Sequence, residues 1–313
     1  MPVGWRRATG SGYDVGMHPR DVATTVLVTA VWGVAFVGLK VVVAHSPPLT
    51  TAGARFVLGG VLLVPLVRRR AQEPPPPGRR RRPLSGREVV LVGALQTTAL
   101  YGLGFLGIQR TTAGASALIL NINPVMVALL AWPMLGDPLT GTSLGGIVLA
   151  LAGVAVVSVH SGLGSPLGIA LLLAGALAWA SASIVIKRMG SVDLLRLSCG
   201  QMLVGGLPLL VLGFVSEHRL PHPTPAAAGW FLFLVVPATA VNFVLWFGLL
   251  ERYSATAMTS WLFLIPVFGV LSGAAFLHEP LTGRMAAGGL LVVAGVVLAQ
   301  RQAAQEEVVL AAG

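Results

Sequence analysis

The chain has 313 residues, of which 55% are hydrophobic and 10% charged, and its mean hydropathy is +0.83. A soluble globular domain carries about 25% charged residues, so this composition excludes that class and indicates an integral membrane protein. The formal net charge is +10, but many of the arginines lie in one stretch, RRRAQEPPPPGRRRRPLSGR at 68–87, which is typical of a cytoplasmic loop and argues against nucleic-acid binding. The single cysteine, Cys199, excludes an internal disulfide and a multi-cysteine metal site, and we expect no metal and no cofactor.

Ten apolar runs, each about 20 residues long, follow the N-terminal segment. Each run predicts a helix, because a bilayer offers backbone groups no water to bond. The first run is longer than the apolar core of a signal peptide, so we interpret it as a retained span. The sequence therefore predicts an all-α integral membrane protein with ten transmembrane helices, at 22–44, 49–67, 87–109, 112–135, 141–159, 166–188, 192–215, 228–251, 254–277 and 282–300.

The distribution of basic residues predicts the orientation. An even number of spans places both termini on one side of the membrane. Segments on that side include the arginine-rich loop 68–87, whereas the opposite loops hold only Arg110, Arg219 and Arg284. The positive-inside rule therefore predicts a multi-pass protein of the cytoplasmic membrane whose tails, 1–21 and 301–313, are cytoplasmic.

A short phrase occurs twice: GDPLTG at 136–141 and HEPLTG at 278–283, a separation of 142 residues. A second match, at a separation of 147, pairs Trp32 and Lys40 with Trp179 and Lys187. These matches predict two repeats of five spans, 22–159 and 164–300. Because five is an odd number, the second repeat is expected to be inverted in the membrane, an arrangement typical of alternating-access carriers.

Four residues are predicted to shape the helix breaks. In the repeated phrase the proline ends one helix, the threonine offers an N-cap to the next, and Asp137 or Glu279 places negative charge near a helix N-terminus. We expect this phrase to form a hinge or tight turn. Pro124 and Pro266, which also match at 142, are expected to kink the fourth and ninth spans.

The chain resembles the drug/metabolite transporter superfamily, specifically ten-span transporters with two EamA domains. The resemblance lies in WGVAFVGLK (32–40), in ARFVLGG (54–60), in the segment 111–154 and in its copy at 253–296. It implies a secondary transporter that moves a small metabolite, such as an amino acid-like compound, often outward. The second repeat departs from the first at Gln201, which stands where Arg55 would fall, so the two halves are expected to line the substrate path unequally.

Polar and aromatic residues inside the spans are the candidates for contact with cargo, because polar groups in hydrocarbon usually face a cavity or another helix. Amides also join helices, and tryptophans also mark the membrane interface, so a structural role stays open for each. The candidates are Trp32, Gln96, Tyr101, Asn121, Asn123, Trp179, Gln201, Asn242, Trp246 and Trp261.

Two cations complete the list of candidates. Arg55 keeps its charge at ordinary pH and lies about two turns into its span, which favours a cavity position and an anionic cargo group, with snorkelling as the alternative. Lys40 and Lys187 are the only lysines among 21 basic residues. Lys40 is expected on the outer side, where positive charge is scarce, and is predicted either to line the substrate path or to close a helix C-terminus.

No acidic residue falls in the middle of a span, so proton coupling through Asp or Glu is not expected. Other classes of membrane protein stay open as alternatives: a channel, a receptor that transports nothing, or an intramembrane enzyme. The Asp-rich motifs of a prenyltransferase are missing. A rhomboid-like Ser/His pair would need Ser116 and His160, and the repeat replaces Ser116 with Met258. The oligomeric state is open, and the partners expected are a small-molecule substrate and the lipid bilayer.

Overall fold

The computed structural model describes residues 17–72, 82–135, 141–158, 164–190, 192–218, 222, 224–250, 252–253, 258, 261–262 and 264–312. All the regular elements in these residues are helices, so the all-α prediction is confirmed there. In chain order they are α1 (Pro19–His45), α2 (Pro48–Gln72), α3 (Gly86–Val92), the π-helical π1 (Gly93–Ala99), α4 (Leu100–Ile108), α5 (Ala113–Leu120), α6 (Asn123–Leu135), α7 (Gly141–Ser158), α8 (Pro166–Met189), α9 (Leu194–Ser216), α10 (Pro225–Val235), the π-helical π2 (Val236–Val241), α11 (Asn242–Leu250), α12 (Leu264–Leu277) and α13 (Gly283–Ala312).

Helices that could cross a bilayer account for most of the described chain. Seven are long and apolar enough by themselves: Pro19–His45, Pro48–Gln72, Gly86–Ile108, Ala113–Met134, Pro166–Met189, Leu194–Ser216 and Pro225–Leu250. Three shorter apolar helices are Leu144–Val156, Leu264–Leu277 and Gly283–Leu298. At the two ends the helices are longer than the sequence suggests, because α1 begins at Pro19 and α13 continues to Ala312, through most of the expected C-terminal tail.

Capping residues decide where several helices begin. The side chains of Ser165 and Thr224 accept hydrogen bonds from backbone amides three residues on, and a proline follows each of them at the first position of α8 and α10. Such prolines are tolerated because the first amides of a helix have no partner within it. Ser85 and Glu88 form a reciprocal capping box at the start of α3. The helices therefore start at sites that the local sequence encodes.

The helices of the two repeats pack in matching pairs. The two second helices, α2 and α9, lie against each other, and so do the two last helices, α7 and α13. The first helix of each repeat packs on the fourth helix of the other, α1 on α12 and α8 on α5 and α6. The first helix of each repeat also packs on the third helix of the other repeat: α1 on α10, and α8 on α4. The contacts of the first helices are thus made twice, with the roles of the repeats exchanged.

Glycines bring α7 and α13 into backbone contact. A methyl group on Gly153 would lie 2.6 Å from the carbonyl oxygen of Gly288 and equally close to the amide of Val292. In the other direction, a methyl group on Gly295 would lie 2.6 Å from the carbonyl oxygen of Gly146. Small residues permit such close helix packing in membranes, where dispersion and close approach replace the hydrophobic effect.

The third helix of each repeat contains a π-helical segment at the same place. The segment π1 covers Gly93–Ala99 and π2 covers Val236–Val241. Their ends are 142 residues apart, the same separation as that of the repeated phrase. A π-helical turn interrupts the regular i to i−4 bonding and occurs often at functional sites. Both segments border the interior of the bundle, with Thr97 and Thr239 at most 1% exposed.

Two glutamates of the second repeat cap helices of the first. Glu217 accepts hydrogen bonds from the amides of Leu49 and Thr50, at 2.7 and 2.9 Å, at the start of α2. Glu279, the acid of the repeated phrase, accepts from the amides of Ala113 and Gly114, at 2.6 and 3.0 Å, at the start of α5. A carboxylate is stabilising at a helix N-terminus, so these contacts hold the two repeats together at one end of the bundle.

Within the repeated phrase, Thr282 caps α13 as expected, since its hydroxyl oxygen accepts from the amide of Met285 at 3.2 Å. Glu279 caps α5, in the other repeat, instead of the helix that follows it in the chain. The matching acid, Asp137, lies outside the described residues.

Candidate substrate cavity

A cavity of about 280 Å³ lies at the centre of the bundle, between helices of both repeats. Its wall is mostly apolar, with a small number of polar side chains, as in ligand sites generally. The structure brings eight of the predicted candidates to this wall: Trp32, Arg55, Gln96, Tyr101, Asn121, Trp179, Gln201 and Trp246.

Aromatic side chains build one side of the cavity. The rings of Trp32 and Trp246 meet edge to face, with centroids 5.4 Å apart, and Phe243 lies 5.8 Å from Trp32. The indole N–H of Trp32 donates to the carbonyl oxygen of Ala238, in π2, at 3.1 Å. This bond fixes one tryptophan of α1 against the third helix of the other repeat. The arrangement provides flat apolar surface against which a ring or an aliphatic chain of cargo packs.

Arg55 is the one ionised side chain of the described cavity wall. It lies on α2, is 4% exposed, and its guanidinium carbon lies 5.1 Å from the ring centroid of Phe56 and 5.8 Å from that of Tyr101. Its Nε–H donates to the hydroxyl oxygen of Thr239 at 3.0 Å. The hydroxyl hydrogen of Thr239 is itself donated to the carbonyl of Leu234 at 2.8 Å, so the threonine oxygen is free to act only as an acceptor towards Arg55.

No carboxylate in the described part of the chain pairs with Arg55. The bond to Thr239 uses Nε and leaves the two terminal nitrogens, which form the bidentate fork of a guanidinium, without an acceptor there. Arginine binds carboxylates through this fork. A buried charge without a counter-charge is costly, so the site favours an anionic group that enters from outside the protein.

Two amide side chains add polar groups to the same wall. Gln96 lies on π1 and Gln201 on α9, where it is 3% exposed. The side-chain oxygens of both are buried without a hydrogen-bond partner among the described residues. An unsatisfied buried amide oxygen costs about 1–3 kcal/mol. Each amide therefore gains a hydrogen bond when its side chain turns the oxygen towards a molecule in the cavity.

Other candidates lie away from this cavity. Asn242 is 1% exposed and its amide donates to the carbonyl of Val28 at 2.9 Å, which joins α11 to α1. Asn123 borders a separate cavity of about 30 Å³ and its side-chain oxygen is buried without a described partner. Trp261 is partly exposed and lines neither cavity.

Pro124 and Pro266 border the smaller cavity. Each lies in the first turn of a helical segment, α6 or α12, because the fourth span is interrupted at 121–122 between α5 and α6. A proline is acceptable in a first turn. Pro124 therefore follows a break between two helical segments, where the sequence suggested a kink in a continuous helix. Residue 263, immediately before α12, lies outside the described residues, so the kink expected at Pro266 stays a prediction. Asn121 lies in the break, and its side-chain amide donates to the carbonyl of Ala117 in α5 at 2.7 Å.

Lys40 lies at the end of the bundle where Glu279 caps α5. Its ammonium group donates to the carbonyl of Ile108 at 3.0 Å and also contacts the carbonyl oxygens of Gln109 and Thr111. These carbonyls end α4, so the cation closes a helix C-terminus. In this conformation Lys40 is not part of the cavity wall, although Leu39 is.

The sequence reasoning missed several residues of the wall. Thr239, which accepts a hydrogen bond from Arg55, was not among the predicted residues. Its match with Thr97, at the repeat spacing of 142, could have indicated it. Ser198 lines the cavity beside Gln201 on α9, and nothing in the local sequence singles it out. Phe36, Phe243 and Phe247 are further wall residues that read as ordinary apolar positions in a membrane helix.

A central cavity between two repeated bundles of apolar helices defines the class of protein as a membrane transporter. Residues 22–159 and 166–300 match the EamA-like transporter family, and the chain belongs to that family. The resemblance that the sequence motifs carry is thereby confirmed.

Relatives and a solved structure agree with this assignment. The chain is 33% identical over 274 residues to the uncharacterized transporter YvbV of Bacillus subtilis, covering 85% of this chain and 87% of that protein. It is 29% identical over 297 residues to a probable amino-acid metabolite efflux pump of Escherichia coli, covering 90% and 95%. One crystal structure has the same fold, with a TM-score of 0.64 at 16% identity over 93% of this chain and 100% of that one.

Proposed function

We propose that this protein carries a small organic molecule with a carboxylate group, such as an amino acid-like metabolite, out of the cell across the cytoplasmic membrane. The observation that supports this most directly is Arg55: a buried cation in the cavity wall, with its fork unoccupied by any described acidic residue. The aromatic and aliphatic wall around it suits the apolar body of such a molecule.

The mechanism that we propose is alternating access by two inverted repeats. Ten spans, with both termini in the cytoplasm, are consistent with the arginine distribution and with the exchange of helix contacts between repeats. When two repeats make the same contacts with exchanged roles, a second conformation with the opposite end open is available at similar free energy. The three short apolar helices then complete the ten spans together with the seven longer ones.

Outward transport of an amino acid-like compound draws support from one relative. The Escherichia coli protein bears the name of a probable amino-acid metabolite efflux pump. The similarity of 29% over most of both chains makes related cargo a reasonable proposal, and Arg55 supplies the group that a carboxylate requires.

Counterflow in proteoliposomes tests the proposal. Vesicles that hold the purified protein are loaded with an unlabelled mixture of amino acids and then receive a trace of each labelled compound. A carrier accumulates label transiently because exchange is faster than net flow, whereas a channel shows no counterflow. We expect counterflow for at least one carboxylate-containing compound, and its absence for all of them would contradict the proposal.

Arg55 variants give the matched control. Arg55→Gln should reduce transport of that compound by roughly ten- to hundredfold, which corresponds to the loss of a charge-assisted hydrogen bond of about 1.5–3 kcal/mol. Arg55→Lys keeps the charge without the fork, so its transport activity should lie between that of the unaltered protein and that of Arg55→Gln. Equal transport by all three versions would show that Arg55 does not contact cargo.

A further inference from the structure

The site around Arg55 exists twice in the fold. Arg55 and Gln201 occupy matching positions on α2 and α9, at a separation of 146 residues. The same separation relates Gly59 to Gly205, in the matching segments ARFVLGG and GQMLVGG. On the third helices, Thr97 in π1 matches Thr239 in π2. Each repeat therefore supplies one half of each of two equivalent sites.

The two sites share one packing contact. A methyl group on Gly59 would lie 2.7 Å from the side chain of Thr239, so α2 contacts π2 closely there. A methyl group on Gly205 would lie 2.5 Å from the side chain of Thr97 and 2.4 Å from the carbonyl oxygen of Gly93, so α9 contacts π1 more closely still. In both cases a glycine of the second helix admits the threonine of a π-helical segment. Gln201 stands four residues before Gly205 on α9, as Arg55 stands four residues before Gly59 on α2.

The chemistry of the two sites differs. At the first site the Arg55 guanidinium bonds to Thr239 at 3.0 Å and brings a positive charge to the cavity. At the second, Gln201 brings a neutral amide whose oxygen has no partner among the described residues. Gln96, on π1, adds a second unpartnered amide to the wall on this side. Because α2 and α9 run antiparallel, with Gly53 against Leu210 and Gly60 against Leu203, Arg55 and Gln201 lie at different depths. The cavity therefore has one cationic pole at Arg55 and one neutral polar pole at Gln201.

We propose that Gln201 sets the number of anionic groups that the cavity accepts. One carboxylate binds at Arg55, and an uncharged polar group of the same molecule, such as a hydroxyl or amide, binds at Gln201 and Gln96. A second anion at the neutral pole would lose its hydration without gaining a counter-charge, which is strongly unfavourable. The inference rests on the proposed binding of a carboxylate at Arg55 and extends it to the far end of the cargo.

The substitution Gln201→Arg tests the inference by converting the neutral pole into a copy of the cationic one. Thr97 stands where an arginine at 201 needs an acceptor for its Nε–H, as Thr239 serves Arg55. The probes are pentanoate, 5-hydroxypentanoate and glutarate, which share one carboxylate and differ only at the far end. Octanoate, 8-hydroxyoctanoate and suberate repeat the comparison at greater length. Binding to purified protein is followed by the fluorescence of the cavity tryptophans.

In the unaltered protein we expect the hydroxy acid to bind tightest and the dicarboxylate weakest. In Gln201→Arg the dicarboxylate should become the tightest ligand, with its affinity relative to the monocarboxylate raised roughly ten- to hundredfold. The double variant Arg55→Gln/Gln201→Arg exchanges the two poles without changing the charge of the cavity. It should prefer a single carboxylate again, as the unaltered protein does.

The variant Gln201→Leu inserts readily in a membrane helix and is the control. It should lose the advantage of the hydroxy acid over the monocarboxylate and should gain no affinity for the dicarboxylate. An unchanged hydroxy-acid advantage in Gln201→Leu, or an unchanged dicarboxylate ratio in Gln201→Arg, would overturn the role of Gln201. If the unaltered protein binds none of the six compounds, the carboxylate site at Arg55 fails instead.

Discussion

The two repeats of this protein share several backbone features and present different side chains to the cavity. Both have a π-helical segment in the third helix, a glycine pair on the second and a buried threonine between them. At the cavity wall Tyr101 of the first repeat matches Phe243 of the second, and Arg55 matches Gln201. The backbone features on which the proposed mechanism depends are thus shared, and the side chains of the proposed cargo site are not.

This difference separates two tasks within one fold. The proposed alternating access needs two conformations of similar free energy, which repeats with matching helix contacts favour. Recognition needs an asymmetric site, because the cargo itself has unlike ends. Side chains at the wall are able to diverge without disturbing the packing of the helices, since the glycine and threonine contacts lie behind them.

The prediction with the largest expected effect concerns the orientation of the two repeats in the membrane, because each position is either labelled or not. The loops after α2 and after α9 occupy matching places, so inverted repeats put them on opposite sides of the membrane. In a Cys199→Ser background, single cysteines introduced by Pro83→Cys and His222→Cys should react differently with an impermeant maleimide on intact cells. We expect labelling at 222 and none at 83, and labelling at both positions after the cells are opened.

Labelling of both positions, or of neither, on intact cells would show that the repeats are not inverted. The background substitution itself should leave transport unchanged. Cys199 is buried and its thiol contacts the carbonyl of Gly60 at 3.4 Å. Serine preserves a donor at that place, and the ratio of transport to membrane abundance is the check.

Substitutions of the two buried threonines, Thr239 and Thr97, test whether only the cationic pole depends on its threonine. Thr239→Val removes the acceptor for Arg55 while keeping the shape of the side chain, and should weaken binding of a carboxylate probe about tenfold, because the fork loses its fixed orientation. Thr97→Val should change the same affinity by less than about twofold, since no arginine depends on it. Titration of each purified variant with 5-hydroxypentanoate measures both effects.

Thr239→Ser keeps the hydroxyl and is the control for a merely structural role. It should restore carboxylate affinity to near the unaltered value. If Thr239→Ser and Thr239→Val bind equally weakly, the threonine acts through packing and the orientation of Arg55 does not depend on its oxygen.

Much of the scaffold was predictable from the sequence, because apolar runs and capping residues are local signals. The predicted span 166–188 corresponds to α8, and the predicted span 192–215 corresponds to α9. The π-helical segments were not predicted, since Gly93–Ala99 carries no periodic pattern that distinguishes a π-turn from an α-turn. The fourth span was expected to be kinked at Pro124, and the helix is instead interrupted at 121–122, just before the proline.

The candidate site was predictable where a residue is chemically unusual in a membrane. Arg55 and Gln201 stood out because polar groups are rare in hydrocarbon, and the structure places both at the cavity. Asn242 stood out for the same reason and instead joins α11 to α1. Sequence alone does not separate these roles, because whether an amide faces a cavity or a neighbouring helix depends on its rotation about the helix axis.

The two lysines give the comparison with the smallest expected effect. Lys40 donates to carbonyls that end α4, so Lys40→Ala should lower the apparent Tm by a few degrees, as expected for about 1–2 kcal/mol at a helix C-terminus. Lys40→Arg should retain most of that stability, and Lys187→Arg should change neither transport nor Tm. Thermal unfolding in detergent and counterflow are the two measurements.

A different result would reassign Lys40. If Lys40→Arg stops counterflow while the apparent Tm is unchanged, the ammonium group contacts cargo in another conformation, as its sequence position suggested. If both properties stay normal in Lys40→Ala, the carbonyl contacts contribute nothing measurable to either.

The close packing of α7 on α13 has a consequence for synthesis. More than a hundred residues separate the end of α7 from the start of α13. At a translation rate of about 5–20 residues per second, α7 waits on the order of ten seconds for the helix that covers its glycines. During that interval its small-residue face is open to lipid or to other helices in the same membrane. A chain that stops short of α13 would therefore expose an adhesive surface, and quality-control proteases in the membrane would have a feature by which to tell incomplete copies from finished ones.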